Sequence, residues 1–284
     1  MPGTLPTISI VIPNYNGGKT LETALRSLLD QQYPSLEILV IDGASKDNSI
    51  EIIRRYEQHI TYWESQKDRG QGHAINKGFA KATGRILNWL CSDDYLTPGS
   101  LNAVAQTLAD DAIDFCIGKC DMLFPDDPRL NWVMWPTEEQ VRTTAQYNCI
   151  AQPSCFYKRR CLNRTPPVRE EYNYAMDQEL WCWFLSQGAR FKIIDGTLSV
   201  AVQDGSNKTR TADYRYYIEA DRIYRRYAQG RGKPHVPFWY RLSMRHAAIY
   251  SENHPASAGA RMADWWIKRV GALQRMRRNL RGKR

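Results

Sequence analysis

Residues 86–95, Ile86-Leu87-Asn88-Trp89-Leu90-Cys91-Ser92-Asp93-Asp94-Tyr95, run from an apolar segment directly into two adjacent carboxylates. An apolar segment this short, bounded by Gly84-Arg85 and Thr97-Pro98-Gly99, reads as a buried strand of a parallel sheet with its carboxyl end at the acidic pair. Ligands of open α/β sheets gather at that end of the strands. Two neighbouring like charges repel, so they persist where a cation or a set of donors offsets them. Hard oxygen ligands suit Mg²⁺ or Mn²⁺, ions that divide their coordination between one or two carboxylates and the phosphates of a substrate. The competing reading is a plain one: the pair caps a helix beginning near Pro98, with both side chains in water.

The rest of the first hundred residues repeats the same alternation. Residues 8–12 (Ile-Ser-Ile-Val-Ile) and 37–41 (Glu-Ile-Leu-Val-Ile) read as strands, the second ending at Asp42-Gly43. Between them Leu21, Ala24, Leu25, Leu28 and Leu29 fall at helical spacing behind Thr20 as an N-cap. Ser45, Asp47 and Ser49 offer capping oxygens to a second helix carrying Ile52, Ile53 and Tyr56. A short strand at 60–63 and a helix at 71–82 follow. Strands alternating with helices at this spacing predict a parallel, doubly wound sheet, and right-handed connections bring Tyr15, Asp42 and Asp93-Asp94 to one edge. Farther on, a helix is expected at 100–108, strands at 114–118, 152–157 and 198–202, and a helix opened by Asp177 with Leu180, Trp181, Phe184 and Leu185 on one face. From Ala212 the pattern is helical and basic.

Composition narrows the class. The chain has 284 residues, is 43% hydrophobic and 24% charged, and carries a formal charge of +9. That suits one large α/β domain with an appendage. Nine Lys/Arg against one acidic residue lie in 261–284, nearly the whole excess, so an anionic partner surface is expected, either a membrane leaflet or a nucleic acid. Seven cysteines without a Cys-x-x-Cys pair predict free thiols, a reducing compartment and no zinc site. The first residues lack a signal-peptide pattern and no apolar run approaches the ~20 residues of a membrane span. The expected location is the cytoplasm, with contact at the inner face of the plasma membrane through the tail.

Individual motifs leave choices open. Gly18-Lys19-Thr20, after a strand and before a helix, has the end of a phosphate-binding P-loop. Five residues before Gly18, where that loop needs glycine, stands Pro13, which has no N–H to give a phosphate. Asp42 could ligate a metal in that setting, accept a hydrogen bond from a base or ribose, or cap its turn.

Taken together, Pro13-Asn14-Tyr15-Asn16, then Asp42-Gly43-Ala44-Ser45-Lys46-Asp47, then Asp68-Arg69-Gly70-Gln71 with Asn76-Lys77-Gly78, then Ser92-Asp93-Asp94, resemble the family 2 glycosyltransferases in content and order. The resemblance covers about residues 7–206. It implies a GT-A type α/β fold: a Rossmann-like, mostly parallel sheet flanked by helices. A nucleotide-binding half would occupy 1–99, an acceptor half 100–206, and a basic helical C-terminal extension 207–284. It also implies roles. Pro13, Tyr15, Asn16, Asp42 and Ser45 would hold the nucleotide, with Asp68, Gln71 and Asn76 near the donor. Asp93 would meet ribose or sugar, and Asp94 a divalent metal, Mn²⁺ or Mg²⁺. Gln152 would line the acceptor side. In Met176-Asp177-Gln178-Glu179-Leu180-Trp181, Asp177 would be the general base, although Asp at a helix start is also a favoured cap. Many relatives place a histidine at the metal or diphosphate before a final Gly-Ser; here Gln203 stands there, a weaker neutral ligand.

The implied activity is inverting transfer from a nucleotide-diphospho sugar, a UDP-sugar, to a hydroxyl of a glycan or lipid-linked acceptor in building a bacterial surface glycan. Its rivals are a P-loop-like or other nucleotide-dependent transferase, and a non-enzymatic basic nucleic-acid-binding module, for which the basic residues offer no recognisable motif. In the tail, Trp266, Val270, Leu273, Met276 and Leu280 share one side of a helix, interrupted by Arg269 and Arg277. That pattern suits a membrane surface, the chain's own domain, or a second subunit in a homo-oligomer.

Overall fold

The structure, a computed structural model, describes residues 5–204, 208 and 214–228. Its frame is a nine-stranded sheet. Strands β1 (Ile8–Asn14), β2 (Leu36–Asp42), β3 (Tyr62–Ser65) and β4 (Ile86–Trp89) pair in parallel in the spatial order β3-β2-β1-β4. Register places Asn14 opposite Asp42 and Asp42 opposite Ser65, so three strand ends reach the same edge together.

Beyond β4 the sheet becomes mixed. The elements there are β5 (Asp94–Leu96), β6 (Phe115–Leu123), β7 (Trp132–Met134), β8 (Cys155–Lys158) and β9 (Phe191–Val202), in the order β4-β8-β6-β9-β5 with β7 on β6. β8 runs antiparallel to both neighbours, β9 runs parallel to β6, and β5 and β7 are antiparallel additions. The expected α/β architecture with helices on both faces is thus present, parallel in its first half and mixed in its second.

The alternation along β1 divides the interior. Ile8, Ile10 and Ile12 enter one cluster, shared with Leu21, Leu25 and Leu28 of α1 (Leu21–Leu29), Ile52 and Ile53 of α2 (Ser49–Arg55) and Val104 of α4 (Ser100–Leu108). Val11 faces the other cluster, with Ile75 and Phe79 of α3 (Gln71–Lys81) and Leu180, Trp181 and Phe184 of α6 (Met176–Ser186). A strand buried on both faces needs such a run, because each side chain meets a helix layer. Two further helices, α5 (Glu138–Arg142) and α7 (Tyr214–Tyr227), complete the described part. In the second cluster Trp181 stacks on Trp89 at 5.9 Å between ring centroids and 13° between planes, with Phe79, Tyr157 and Phe184 around them.

Several local expectations are corrected. The apolar strand stops at Trp89; a turn closed by the Asp94 N–H on the Cys91 carbonyl (3.0 Å) reverses the chain, and Asp94 opens β5 opposite Ala201. The acidic pair therefore does not cap α4. Its N-cap is Gly99, at φ +80°, with no side-chain cap. Thr20 gives its hydroxyl proton to the Gly17 carbonyl instead of accepting from α1, and Ser45 turns away from α2; of the expected caps, Asp47 accepts from the Ser49 N–H at 3.0 Å. Residues 152–154 form a 3₁₀ turn, since Pro153 removes a ladder donor. All seven cysteines are free thiols, as expected. Among the described residues no helix is long and apolar enough to cross a membrane. The basic tail, 261–284, lies outside the described residues.

Gly78 lets α3 approach β1: a Cβ there would lie 2.3 Å from Val11 Cγ1. Alanine is the better helix former by about 1 kcal/mol, yet overpacking of this kind costs roughly 1–3 kcal/mol. Gly78→Ala is therefore expected to lower the melting temperature by a few degrees, and Val11→Ala introduced with it to recover part of the loss; thermal denaturation of the three variants measures the coupling.

Candidate active site

At the parallel edge, Asp42 joins three strand ends. It is fully buried, and its two oxygens accept from Asn14 Nδ2 (2.7 Å), Ser45 Oγ (2.5 Å), Ser45 N (2.9 Å) and Ser65 Oγ (2.6 Å). A buried carboxylate needs such donors, and here they fix the loops after β1, β2 and β3 relative to one another. Asn16, at φ +51°, continues the lacing: its N–H reaches Ser45 Oγ at 2.8 Å and its Oδ1 accepts from the Lys46 N–H at 2.8 Å. The Gly18 N–H, which a P-loop would offer to a phosphate, donates to the Asp47 carboxylate at 2.8 Å. A fixed negative charge thus sits where that loop would need an anion, and the P-loop alternative is discarded.

Outside this joint the edge is open. Tyr15 is 68% exposed, and Gly43 lies between it and Asp68: a Cβ on Gly43 would come within 3.2 Å of the Tyr15 ring and 3.0 Å of Asp68 Oδ2. Asp68 also accepts from the Gly70 N–H at 2.8 Å, which ties it to the start of α3. Pro13 is buried within β1 opposite Ile41. Asn76 is turned elsewhere: its amide donates to the Val168 carbonyl (2.8 Å) and accepts from the Val168 N–H (2.9 Å), so it holds the 168–170 loop. Whatever its place relative to a donor, its amide is engaged in holding that loop.

The turn after β4 collects the charge. Oxygens of Asp93 and Asp94 and the Cys91 sulfur lie within 4.8 Å of one another, close enough to share one cation. Burial, followed by the charge of Asp93, holds the Asp94 carboxyl well above the usual range. Burial also raises Asp93, to which Asp204 adds. Among the described residues neither carboxylate forms an ion pair. Gln203 is buried directly after β9, its N–H on the Leu123 carbonyl (2.7 Å), and the β5–β9 register brings this end of β9 alongside the acidic turn.

Around the acidic turn stands a polar wall. Gln71 Nε2 donates to Cys91 Sγ (3.2 Å) and Gln71 Oε1 accepts from Lys208 Nζ (3.2 Å). Gln152 Nε2 donates to the Trp89 carbonyl (2.5 Å) and to Asn88 Oδ1 (2.9 Å), holding the 3₁₀ turn against the end of β4. Asp177 lies in the first turn of α6, beyond its N-cap position at Ala175. One of its oxygens accepts from the Gln178 N–H (2.7 Å), the other from Asn148 Nδ2 (2.9 Å). Burial raises its carboxyl above the ordinary value, and the Glu219 charge adds to this. The Asp177 charge in turn acts on Cys91, along with Asp94 and Asp93, which links α6 to the acidic turn.

Local patterns in the sequence had not marked Cys91, Asn148, Lys208 or Glu219 as parts of this region. Each reaches it through tertiary packing, and no spacing rule connects residue 208 or 219 with residue 71 or 177.

Comparison with known proteins bears on the family and the fold. The family model described as glycosyl transferase family 2 matches residues 9–165. The putative teichuronic acid biosynthesis glycosyltransferase TuaG of Bacillus subtilis is 23% identical over 237 residues, 77% of this chain and 90% of that protein. By contrast, the chain spans 32–40% of the length of the first curated glycosyltransferases it matches. Among solved structures, S. aureus TarS residues 1–349 in complex with UDP-GlcNAc superposes with a TM-score of 0.63 at 18% identity, covering 88% of this chain and 73% of that one. The mannosyltransferase PcManGT of Pyrobaculum calidifontis, in complex with GDP-Man and Mn²⁺, gives 0.62 at 20% identity over 96% and 81%. The fold is the GT-A fold.

The raised carboxyls have a sign that can be measured. A carboxyl whose folded value exceeds its ordinary value of 3.8 binds its proton more tightly when folded, so stability contributed at low pH is lost as pH rises from 3.8 through the raised value. Replacing Asp94 by Asn removes that loss. In chelator-treated protein at pH 7.5, Asp94→Asn is expected to raise the melting temperature by about 2–6 °C, with the difference vanishing near pH 3.5.

Proposed function

The chain belongs to glycosyl transferase family 2, and on that footing we propose that it moves a sugar from a nucleoside-diphosphate sugar, a UDP-sugar, to a hydroxyl of a glycan or lipid-linked acceptor with inversion at the anomeric carbon. The observation that carries this reading is the acidic turn at Asp93-Asp94, without an ion pair among the described residues, which shares electrostatic reach of Cys91 with the half-buried carboxylate of Asp177, on the sheet edge that also carries the exposed Tyr15. The base of the nucleotide lies between Tyr15, Pro13 and the Gly43–Asp68 wall. Asp42 has its oxygens engaged by four donors, so it serves this site mainly by fixing Asn14, Ser45 and Ser65, and a base N–H would share an oxygen with one of them. Gln71 and Lys208 face the donor's diphosphate side.

The residues of the acidic turn fit a divalent cation, Mn²⁺ or Mg²⁺. Two neighbouring carboxyls held above their ordinary range, Asp94 by burial and then by the charge of Asp93, and Asp93 by burial and then by Asp204, gain from a bound cation, and their oxygens suit a hard ion. Asp94 would be the principal ligand, with Asp93 and Gln203 beside it. When bound, such an ion would offset charge developing on the departing diphosphate. The presence of Mn²⁺ in the PcManGT mannosyltransferase structure supports this choice.

Asp177 does the proton work. Burial makes its carboxylate a stronger base than an exposed one, and Asn148 fixes the orientation of one of its oxygens. It accepts the acceptor's hydroxyl proton as that oxygen attacks the anomeric carbon from the face opposite the diphosphate. The new C–O bond forms as the bond to the diphosphate breaks, and the configuration inverts. Gln152 supports the acceptor side by holding its turn against β4. For location, we favour the cytoplasmic face of a membrane, where the basic tail would meet anionic lipid near a lipid-linked acceptor.

Calorimetry with UDP tests the donor half. Binding is expected with Mn²⁺, at least tenfold weaker without it, and lost in Asp94→Ala; equal binding by this variant would remove Asp94 from the metal. For the transfer half, Asp177→Asn should bind UDP within about twofold of the parent and lose roughly 10²–10⁴ of the transfer rate. Full activity in that variant would sink the general-base assignment.

A further inference from the structure

The region preceding α6 has no capping side chain of its own, yet its amides are satisfied. Glu219, from the middle of α7, is 7% exposed and lies against them. Its carboxylate accepts three consecutive backbone N–H groups, those of Asn173 (2.8 Å), Tyr174 (2.7 Å) and Ala175 (2.8 Å). Ala175 is the N-cap position of α6, and Asp177 follows two residues later. Free amides and the positive end of the helix dipole make this a natural place for an anion, here supplied from forty-odd residues downstream. α7 has a second anchor one turn along α6: the Tyr227 hydroxyl donates to Glu179 at 2.6 Å, and Glu179 is also held by Arg164.

We propose that Glu219 is the positioning residue for Asp177: by gathering the 173–175 amides it fixes the entry into α6, and so the direction in which the Asp177 carboxylate meets an acceptor hydroxyl. This rests on the reading of Asp177 as general base. The family match ends at residue 165, so the base and its support both lie in the part of the chain after it. Glu219 also acts through space, because its charge raises the Asp177 carboxyl and supports the protonated form of Lys208. The other groups facing Asp177 are the Asn148 amide and the Gln178 N–H, which lower it, and the thiols of Cys91, Cys155 and Cys182 within electrostatic reach. An amide in place of the Glu219 carboxylate would set an NH₂ group against backbone donors and remove the charge.

The test uses the full chain and needs no substrate for its first two readings. In Glu219→Gln, hydrogen exchange at 173–175 should be at least tenfold faster than in the parent. Carboxyl carbon NMR should show Asp177 titrating at lower pH than in the parent, because the Glu219 charge that adds to its raised value is gone. Glu219→Asp, which keeps the charge on a shorter arm, should fall between and serves if the Gln variant does not fold. Tyr227→Phe, which loosens the other anchor, should leave both readings unchanged. Unaltered exchange and titration in both Glu219 variants would overturn the proposal, as would an equal response from Tyr227→Phe, since α7 would then act only as packing. Full transfer activity in Asp177→Asn would sink the base reading alone and leave the exchange result standing.

Discussion

The stack of Trp181 on Trp89 ties the two chemical halves of this site together. Trp89 ends β4, a few residues before Asp93-Asp94, and Trp181 lies one helical turn beyond Asp177. A stacked aromatic pair is worth roughly 0.5–1.5 kcal/mol beyond the area it buries. Its larger effect is geometric. Two rigid rings at a fixed separation leave little freedom for the helix that carries one carboxylate relative to the strand that leads to the others. Phe79, Tyr157 and Phe184 close around the pair, so the distance across the site is set by an apolar interior rather than by polar contacts that a ligand would disturb.

Against that rigid support the polar edge divides into settled and unsettled parts. Asp42 is settled: four donors meet its oxygens, and it behaves as a structural joint. Asp93 and Asp94 are unsettled, both raised by burial, with Asp204 adding to the first and Asp93 to the second. Strongly perturbed carboxyls cluster at functional sites, where a partner from outside the fold takes up their charge. The contrast tells which acidic residues hold the fold and which face chemistry, a distinction their positions at strand ends do not make.

Much of this was legible in the residues. Short apolar runs located β1 and β2, which meet both cores, and helical spacing located α1, which buries a face against one of them. The second half was harder to read, since β5 and β7 are three-residue strands whose existence depends on partners far along the chain. The ordered motifs indicated the family, and the structure brings Tyr15, Asp42, Asp68 and the acidic pair to one edge. Asn76 shows what a motif does not give: its amide is engaged by the backbone of Val168, a partner ninety-two residues along the chain. Lys208 and Glu219 were invisible for the opposite reason, as isolated charges in a basic, helical stretch whose contacts only packing reveals.

The short pairing of β5 with β9 has a consequence for how the molecule comes into being. Asp94 lies opposite Ala201, so the strand that fixes it is made more than a hundred residues after it. During synthesis, every nucleotide motif is complete long before the acidic turn can take its final form. Contacts of such sequence separation form late and slow the overall folding. A ribosome-bound chain would therefore hold a formed parallel half with two unburied carboxylates at its rim, soluble and repelling its neighbours. Only the last strand converts that charge from a safeguard against association into a site.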